Sequence, residues 1–160
     1  MHPRIHAEAQ PDKPAIVMAR TGETITYAEL ERRANRGAHA LRRMGLVNGD
    51  AVAIACDNRL EFFDVYWAAQ RAGLILVLLS ARLKTDEIAY IVNDSGAKVV
   101  LISDSMADTA RDVAANRDAM AGVTQIVTIG PVDDLVVDVA TGRIAFDELV
   151  AWFKERLVRK

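Results

Sequence analysis

The chain has 160 residues, 51% of them hydrophobic and 26% charged, and its formal net charge is −2. This length and apolar content predict one globular domain with a sizeable core, and the balanced charge excludes a general attraction to nucleic acid or to an anionic membrane. The single cysteine excludes an internal disulfide and, with no signal peptide and no apolar run of roughly 20 residues, predicts a cytoplasmic protein without a transmembrane segment.

The first part of the chain predicts a short β-hairpin and then an amphipathic helix. Two short apolar stretches flank Gly22, which suits a tight turn with positive φ. Thr26 and Glu29 have the spacing of a capping box, in which each side chain bonds to the backbone N–H of the other residue. Gly45 is placed to end the helix in the left-handed conformation. The apolar stripe of this helix consists of Tyr27, Leu30, Ala34, Ala38 and Leu41.

Beyond residue 50, apolar strands alternate with helices. The predicted strands cover residues 51–56, Ile75–Leu79, 98–103 and Gln125–Ile129. The predicted helices cover Leu60–Ala72, residues 85–93 with Thr85 as the cap, and residues 105–120. Because the strands are apolar throughout and helices separate them, the predicted fold class is α/β, with a mostly parallel sheet covered by helices on both faces.

The last part of the chain has a looser pattern. It predicts a short hairpin at residues 131–143 and an amphipathic helix over residues 145–160. No stretch has the composition of a linker, so residues 1–160 are predicted to form a single domain.

Few side chains in the sequence offer chemistry. The nine glycines form neither of the spacings that cradle phosphate groups. His2 and His6 lie in a segment predicted to be a solvated tail, with adventitious metal binding as the alternative. His39 is predicted to be exposed, and no acid or cysteine is spaced with it as a ligand or triad partner. We therefore expect no catalytic residue and no metal ligand.

Three other groups have both a functional and a structural interpretation. Cys56 closes a strand, where open α/β sheets bind ligands, but no histidine is placed to activate it, so a buried structural thiol followed by a helix N-cap is favoured over a nucleophile. Two acid pairs occupy a helix start and a turn, which favours capping and turn formation over catalysis. They are Asp86 with Glu87, and Asp133 with Asp134. Four aromatic side chains share one helix, which is more typical of a core than of a ligand cage. They are Phe62, Phe63, Tyr66 and Trp67.

Several phrases of the sequence occur in the order and at the intervals typical of one enzyme family. They are Pro-Asp-Lys-Pro-Ala at residues 11–15, Thr-Tyr-Ala-Glu-Leu at 26–30, Asn-Arg at 35–36, Gly-Leu-Val-Asn-Gly-Asp at 45–50 and DEIAYIVNDSGAKVVL at 86–101. With these phrases the chain resembles the start of the adenylate-forming ligases, which comprise acyl-CoA synthetases, acyl-AMP ligases and the adenylation domains of peptide synthetases. The last phrase is most similar to fatty-acyl-CoA ligases.

This resemblance implies a two-step reaction in a complete enzyme. A carboxylate such as a fatty acid reacts with ATP to give acyl-AMP and pyrophosphate, and CoA then displaces AMP. ATP, Mg²⁺ and CoA are expected for that enzyme, and no cofactor is expected for this chain, because in the family the phosphate loop, the metal-binding acids and the mobile C-terminal lysine follow the corresponding region.

We therefore expect residues 1–160 to be an incomplete part of the large N-terminal domain of an acyl-CoA synthetase, without the ATP-binding and C-terminal regions and inactive alone. The alternative hypothesis is a stand-alone, non-catalytic α/β module that binds a protein partner.

The resemblance also implies one candidate binding residue, Arg82. Family members often have Tyr-Val-Pro-Leu-Asn-Pro-Arg-Leu where this chain has Leu-Val-Leu-Leu-Ser-Ala-Arg-Leu at residues 76–83. In some members that arginine contacts the nucleotide phosphate of CoA, and the charge and planar fork of arginine suit phosphate. The alternative is a surface arginine that precedes a helix. Leu78 and Ala81 replace both prolines of the phrase, and Asp57 also stands where the family often has proline.

The resemblance finally implies an uncovered surface, because in the family this segment packs against the rest of a larger domain. We expect apolar side chains and a sheet edge to be left exposed, and the chain to form a homodimer or to self-associate. The candidate side chains are Phe62, Phe63 and Trp67, with Leu149, Trp152 and Phe153.

Overall fold

The structure of the chain, a computed structural model, describes residues 2–130. The helices are α1 (Pro3–Ala9), α2 (Tyr27–Arg43), α3 (Leu60–Ala72), α4 (Thr85–Ser95) and α5 (Ala107–Ala115). The strands are β1 (Pro14–Val17), β2 (Thr24–Thr26), β3 (Ala51–Ala55), β4 (Ile75–Leu79), β5 (Ala97–Ser103) and β6 (Gln125–Ile129). The predicted hairpin at residues 131–143 and the helix over residues 145–160 lie outside the described residues.

The chain divides into two compact units, each of which is made of two separate segments. The first unit consists of residues 1–50 and 57–76, and the second consists of residues 51–56 and the chain from residue 77 onward. The prediction of a single domain over residues 1–160 stays a prediction.

The first unit begins with a helix and a hairpin. The predicted solvated tail is wrong, because the segment forms α1, in which the ring of His2 lies 5.5 Å from that of Trp67 and the ring of His6 lies 4.8 Å from that of Tyr27. Strands β1 and β2 pair antiparallel, as predicted, and Gly22 in their turn has a φ of +74°. These aromatic contacts tie the N-terminal segment down where sequence position alone suggested mobility.

One of the two hydrogen bonds predicted for the capping box of α2 is present. The Thr26 hydroxyl accepts a hydrogen bond from the Glu29 N–H at 3.3 Å. The other half of the predicted box is different, since the Glu29 carboxylate accepts hydrogen bonds from Arg33 at 3.0 and 3.2 Å. The predicted stripe is confirmed as the packed face: Tyr27 is half-buried, and the other members are buried. The buried members are Leu30, Ala34, Ala38 and Leu41.

Helices α2 and α3 cross closely at Gly37. A Cβ atom at Gly37 would lie 2.7 Å from the Cβ of Ala68. A glycine in a helix interior costs about 1 kcal/mol relative to alanine, and here it leaves the space that α3 occupies. Helix α3 has the predicted bounds, with Arg59 as its N-cap, and no side chain forms a capping hydrogen bond there.

The second unit is built on a parallel sheet with the strand order β4-β3-β5-β6, and it contains β3, β5, β6 and residues 77–79 of β4. Strand β5 pairs parallel with β3 on one side and with β6 on the other. Every residue of β3 is buried, and only Lys98 is exposed in β5, so both faces of the central strands are covered. The predicted α/β class, the parallel sheet flanked by helices and the N-terminal hairpin are confirmed.

Two details of the helices in this unit differ from the predictions. The cap of α4 is Lys84 rather than Thr85, because the Glu87 carboxylate accepts a hydrogen bond from the Lys84 N–H at 2.8 Å. The helix predicted over residues 105–120 is shorter, since 3-10 turns at Asp104–Met106 and Arg117–Ala119 flank α5. Helices α4 and α5 contribute Ile88, Ala89, Val92, Ala110 and Val113 to the core of this unit.

Candidate functional site

The carboxyl ends of parallel strands are where open α/β sheets bind ligands, and in the second unit the loop after β4 carries Arg82 there. The Arg82 N–H donates to the Ser80 hydroxyl at 3.3 Å, and the Leu83 N–H donates to the Ser80 carbonyl at 3.2 Å. Leu83 packs against the core of the unit, and Lys84 begins the cap of α4. The backbone around Arg82 is therefore held on both sides.

The Arg82 side chain itself is exposed. Within residues 2–130, its guanidinium forms no ion pair with a carboxylate. A guanidinium that is not neutralised by a neighbouring acid is available to a phosphate group in solution. Leu78 and Ala81 stand where the family phrase has prolines, so the loop lacks the backbone rigidity that proline gives. The hydrogen bonds from the Arg82 and Leu83 N–H groups to Ser80 constrain the loop instead.

The neighbouring strands β3, β5 and β6 end at the same edge of this sheet. Cys56 follows β3 and is half-buried rather than fully buried. Ser103 at the end of β5 is fully buried, and its Oγ lies 2.8 Å from the Oγ of Ser105. The Asp104 carboxylate occupies the space that a side chain at Gly130 would need. In the part of the chain that the structure describes, no three His, Cys, Asp or Glu side chains are grouped so as to hold a metal ion.

The other candidate residues have structural positions. His39 is exposed, as predicted, and Asp86 and Glu87 lie in the first turn of α4, as predicted. Two aromatic residues of α3, Phe63 and Trp67, belong to a core rather than a cage, because they pack against a buried cluster in the first unit. That cluster consists of Ile25, Leu30 and Leu60. Asp133 and Asp134 lie outside the described residues.

A partly buried ion pair between α2 and α3 was not predicted from the sequence. Arg33 donates from Nη1 to Asp64 Oδ2 at 3.2 Å, and the side chains are 17% and 18% exposed. Burial raises the pKa of Asp64 from 3.8 to about 6, although Arg33 opposes the shift. The signal in the sequence is a single aspartate inside residues 62–69, a run of α3 that is otherwise apolar and aromatic. This pair links two helices of the first unit.

A second ion pair of the first unit lies beside a groove. Arg71 of α3 pairs with Glu31 of α2, and Arg4 pairs with Glu8 within α1 at 2.9 Å. The groove has a volume of about 500 Å³. It is lined by His2, Arg4, Ile5, Glu8, Gln70 and Arg71. Because its arginines already have carboxylate partners, it offers less to an anion than the exposed Arg82 does.

No helix within residues 2–130 has both the length and the apolar character that crossing a membrane requires.

Comparison with known proteins matches residues 4–149 to the model of one family, the AMP-binding enzymes. The long-chain-fatty-acid–CoA ligase FadD13 of Mycobacterium tuberculosis is 33% identical over 121 residues, which are 76% of this chain and 24% of that protein. The fatty acid–[acyl-carrier-protein] ligase ScoC of Streptomyces coeruleorubidus is 34% identical over 99 residues, which are 62% of this chain and 19% of that protein.

Among solved structures, the N-terminal domain of FACL13 from Mycobacterium tuberculosis superposes with a TM-score of 0.75 at 29% identity, covering 85% of this chain and 36% of that chain. The chain thus spans a fifth to a quarter of the length of the curated relatives named above.

Proposed function

Because the chain belongs to the AMP-binding enzyme family, we propose that it works as the N-terminal portion of a fatty-acyl-CoA ligase, in which a fatty acid, ATP and CoA give acyl-CoA, AMP and pyrophosphate. The observation that carries this proposal is the family match over residues 4–149. The similarity to a long-chain-fatty-acid–CoA ligase supports the substrate class. These matches favour the ligase over the alternative of a stand-alone binding module.

The described residues offer a candidate contact for one of the cofactors expected of the complete enzyme, CoA, but not for Mg²⁺ or ATP. The described residues contain no cluster of metal-binding side chains, and the sequence lacks both glycine-rich phosphate-binding patterns. We therefore assign no ligand of Mg²⁺ or ATP to this chain. CoA carries a nucleotide phosphate, and for that group the chain offers Arg82, exposed at the carboxyl edge of the sheet.

In a complete ligase that contains this chain, Arg82→Ala is expected to raise the KM for CoA and leave adenylation nearly unchanged. A lost hydrogen bond to a charged group corresponds to ~1.5–3 kcal/mol, or about ten- to a hundredfold in KM. Arg82→Lys should bind CoA more tightly than Arg82→Ala, since lysine keeps the positive charge but not the planar set of donors of the guanidinium. Steady-state kinetics of each half-reaction measures the effect, with Lys84→Ala as the control for a nearby exposed cation. Equal losses in both half-reactions would make Arg82 a structural residue.

The 160-residue chain alone is expected to form no acyl-AMP, because the groups that would hold the triphosphate and its metal ion are not found in its sequence in recognisable form. Fatty-acid-dependent exchange of labelled pyrophosphate into ATP is the measurement, and it should stay at the level of a protein-free control. Exchange well above that level would contradict the proposal that this chain needs the rest of a ligase for activity.

We also propose that the chain is cytoplasmic, on the basis of its single cysteine, and that it self-associates. The aromatic residues of α3 support self-association less than expected, because Phe63 and Trp67 are partly covered by the buried cluster of the first unit. Leu149, Trp152 and Phe153 lie outside the described residues. Other apolar side chains are more exposed, among them Ile75 and Leu78 of β4, at 58% each.

A further inference from the structure

Strand β4 forms one edge of the four-stranded sheet. The Ile75 N–H donates to the carbonyl of Asp50, the residue that directly precedes β3, at 2.9 Å. Backbone groups of successive residues in a strand point to alternate sides, so Ile75 and Val77 face β3, whereas Leu76 and Leu78 present their N–H and C=O groups to the outer side. Among residues 2–130, no strand pairs with β4 on that side.

The sequence of this edge strand lacks two of the features that usually prevent strand pairing, a charge and a proline. Natural edge strands are protected by charges, prolines or bulges, but residues 74–79 are Leu-Ile-Leu-Val-Leu-Leu, without a charge, proline or glycine. Ile75 and Leu78 are each 58% exposed. A proline at position 78, where the family phrase carries one, would remove an outward-facing N–H, since proline has no backbone donor. Leucine at this position provides that donor.

We propose that β4 pairs antiparallel with β4 of a second copy of the chain, about a twofold axis at Val77. In this register Leu76 and Leu78 of one copy exchange backbone hydrogen bonds with Leu78 and Leu76 of the other. The proposal rests on the self-association proposed above and assigns it to one surface. A second copy fits this edge because a twofold axis sets the same uncharged strand against itself, so that apolar side chains meet and no like charges are opposed.

The test uses the 160-residue chain and two variants that block the edge in different ways. Leu78→Pro removes the outward N–H from each copy, and Leu78→Lys places a charge on the edge while keeping the backbone donor. Tyr90→Lys is the matched control, because it adds the same charge at a more exposed residue, 71% exposed, of α4 in the second unit. Circular dichroism and urea unfolding of each variant establish that it is folded.

Sedimentation velocity over a wide concentration range measures the equilibrium between the 17.5 kDa chain and its dimer. We expect the wild type and Tyr90→Lys to dimerise alike, and Leu78→Lys to need about tenfold or higher concentrations. A folded Leu78→Pro chain should show the same shift. A wild-type chain that stays monomeric throughout would overturn the self-association itself. A dimer that persists unchanged in Leu78→Lys would overturn the β4 pairing alone and leave self-association through another surface.

Discussion

Replacing Asp64 by Asn is expected to stabilise the folded chain by about 3 kcal/mol near pH 7.5. The Asp64 side chain is 18% exposed, and its Oδ1 atom is buried without a hydrogen-bond partner. Burial is the main reason why its pKa is raised to about 6; Glu61 acts in the same direction, while Arg33 and Arg36 oppose it. Asparagine has nearly the same shape and brings no charge to this place, and Arg33 keeps its hydrogen bond to Glu29.

The sign of the pH dependence follows from which state of the chain binds the Asp64 proton more tightly. The folded chain does, because its pKa of about 6 for Asp64 lies above the value of about 4 for an aspartate in an unfolded chain. The contribution of Asp64 to stability is therefore fully present below pH 4 and is lost as the pH rises through 6. One pKa unit corresponds to about 1.4 kcal/mol, so the loss is about 3 kcal/mol, and asparagine, which does not ionise, avoids it.

Urea unfolding of the wild type and Asp64→Asn at several pH values between about 4 and 8 measures this effect. The difference between the two chains isolates Asp64 from the titration of the other acids, and it should grow from near zero at the acidic end. Glu8→Gln is the control, since Glu8 forms an exposed pair with Arg4 in which both side chains are 66% exposed, and a pair of this kind adds little stability. If Asp64→Asn instead destabilises the chain near pH 7.5, the attraction of Arg33 outweighs the burial of the carboxylate.

Gly37→Leu is expected to destabilise the chain by about 2 kcal/mol, because α2 and α3 leave no room for a side chain at their crossing. The first atom alone would lie 2.7 Å from the Ala68 Cβ, which is too close for two carbons, and overpacking of this kind costs about 1–3 kcal/mol or more. The cost exceeds the gain of about 1 kcal/mol that a better helix former brings to an interior position. His39→Leu, at an exposed position of the same helix, should change little.

A double-mutant cycle distinguishes steric overlap from other causes. Gly37→Ala should destabilise the chain less than Gly37→Leu, and adding Ala68→Gly should recover part of the loss, because it returns the space that the new methyl group needs. Urea unfolding of the two single variants and the double variant gives the coupling free energy. Strictly additive effects would mean that Gly37 and Ala68 do not meet in the folded chain.

The strands and α3 could be predicted because their signals are local. β4, β6 and α3 lie at the predicted residues, since each is a short apolar or periodic run bounded by residues of another character. The cap of α4 was missed for an equally local reason. Thr85 is the better capping residue by type, but the Glu87 carboxylate reaches the Lys84 N–H and moves the boundary by one residue.

The remaining differences depend on contacts between distant parts of the chain. The charges of Arg33 and Asp64 are typical of exposed helix faces, and only the packing of α2 on α3 makes them a partly buried pair. The sequence predicts a solvated N-terminal tail, because the ring contacts of His2 with Trp67 and of His6 with Tyr27 cannot be deduced from neighbouring residues. Arg82 was predicted only through the family phrase, because an arginine before a helix is in itself an ordinary surface residue.

The interleaved units have a consequence for the order in which the chain folds during synthesis. Strand β3 belongs to the second unit, yet it leaves the ribosome between the two segments that make up the first. Its neighbours in the sheet, β4 and β5, are synthesised later. Strand β3, which is buried along its whole length in the folded chain, is therefore exposed in the nascent chain until they are made. Exposed apolar strands without their pairing partners make nascent chains prone to aggregation and to chaperone binding. For the same reason, no single cut in the chain would release either unit as an independent fragment.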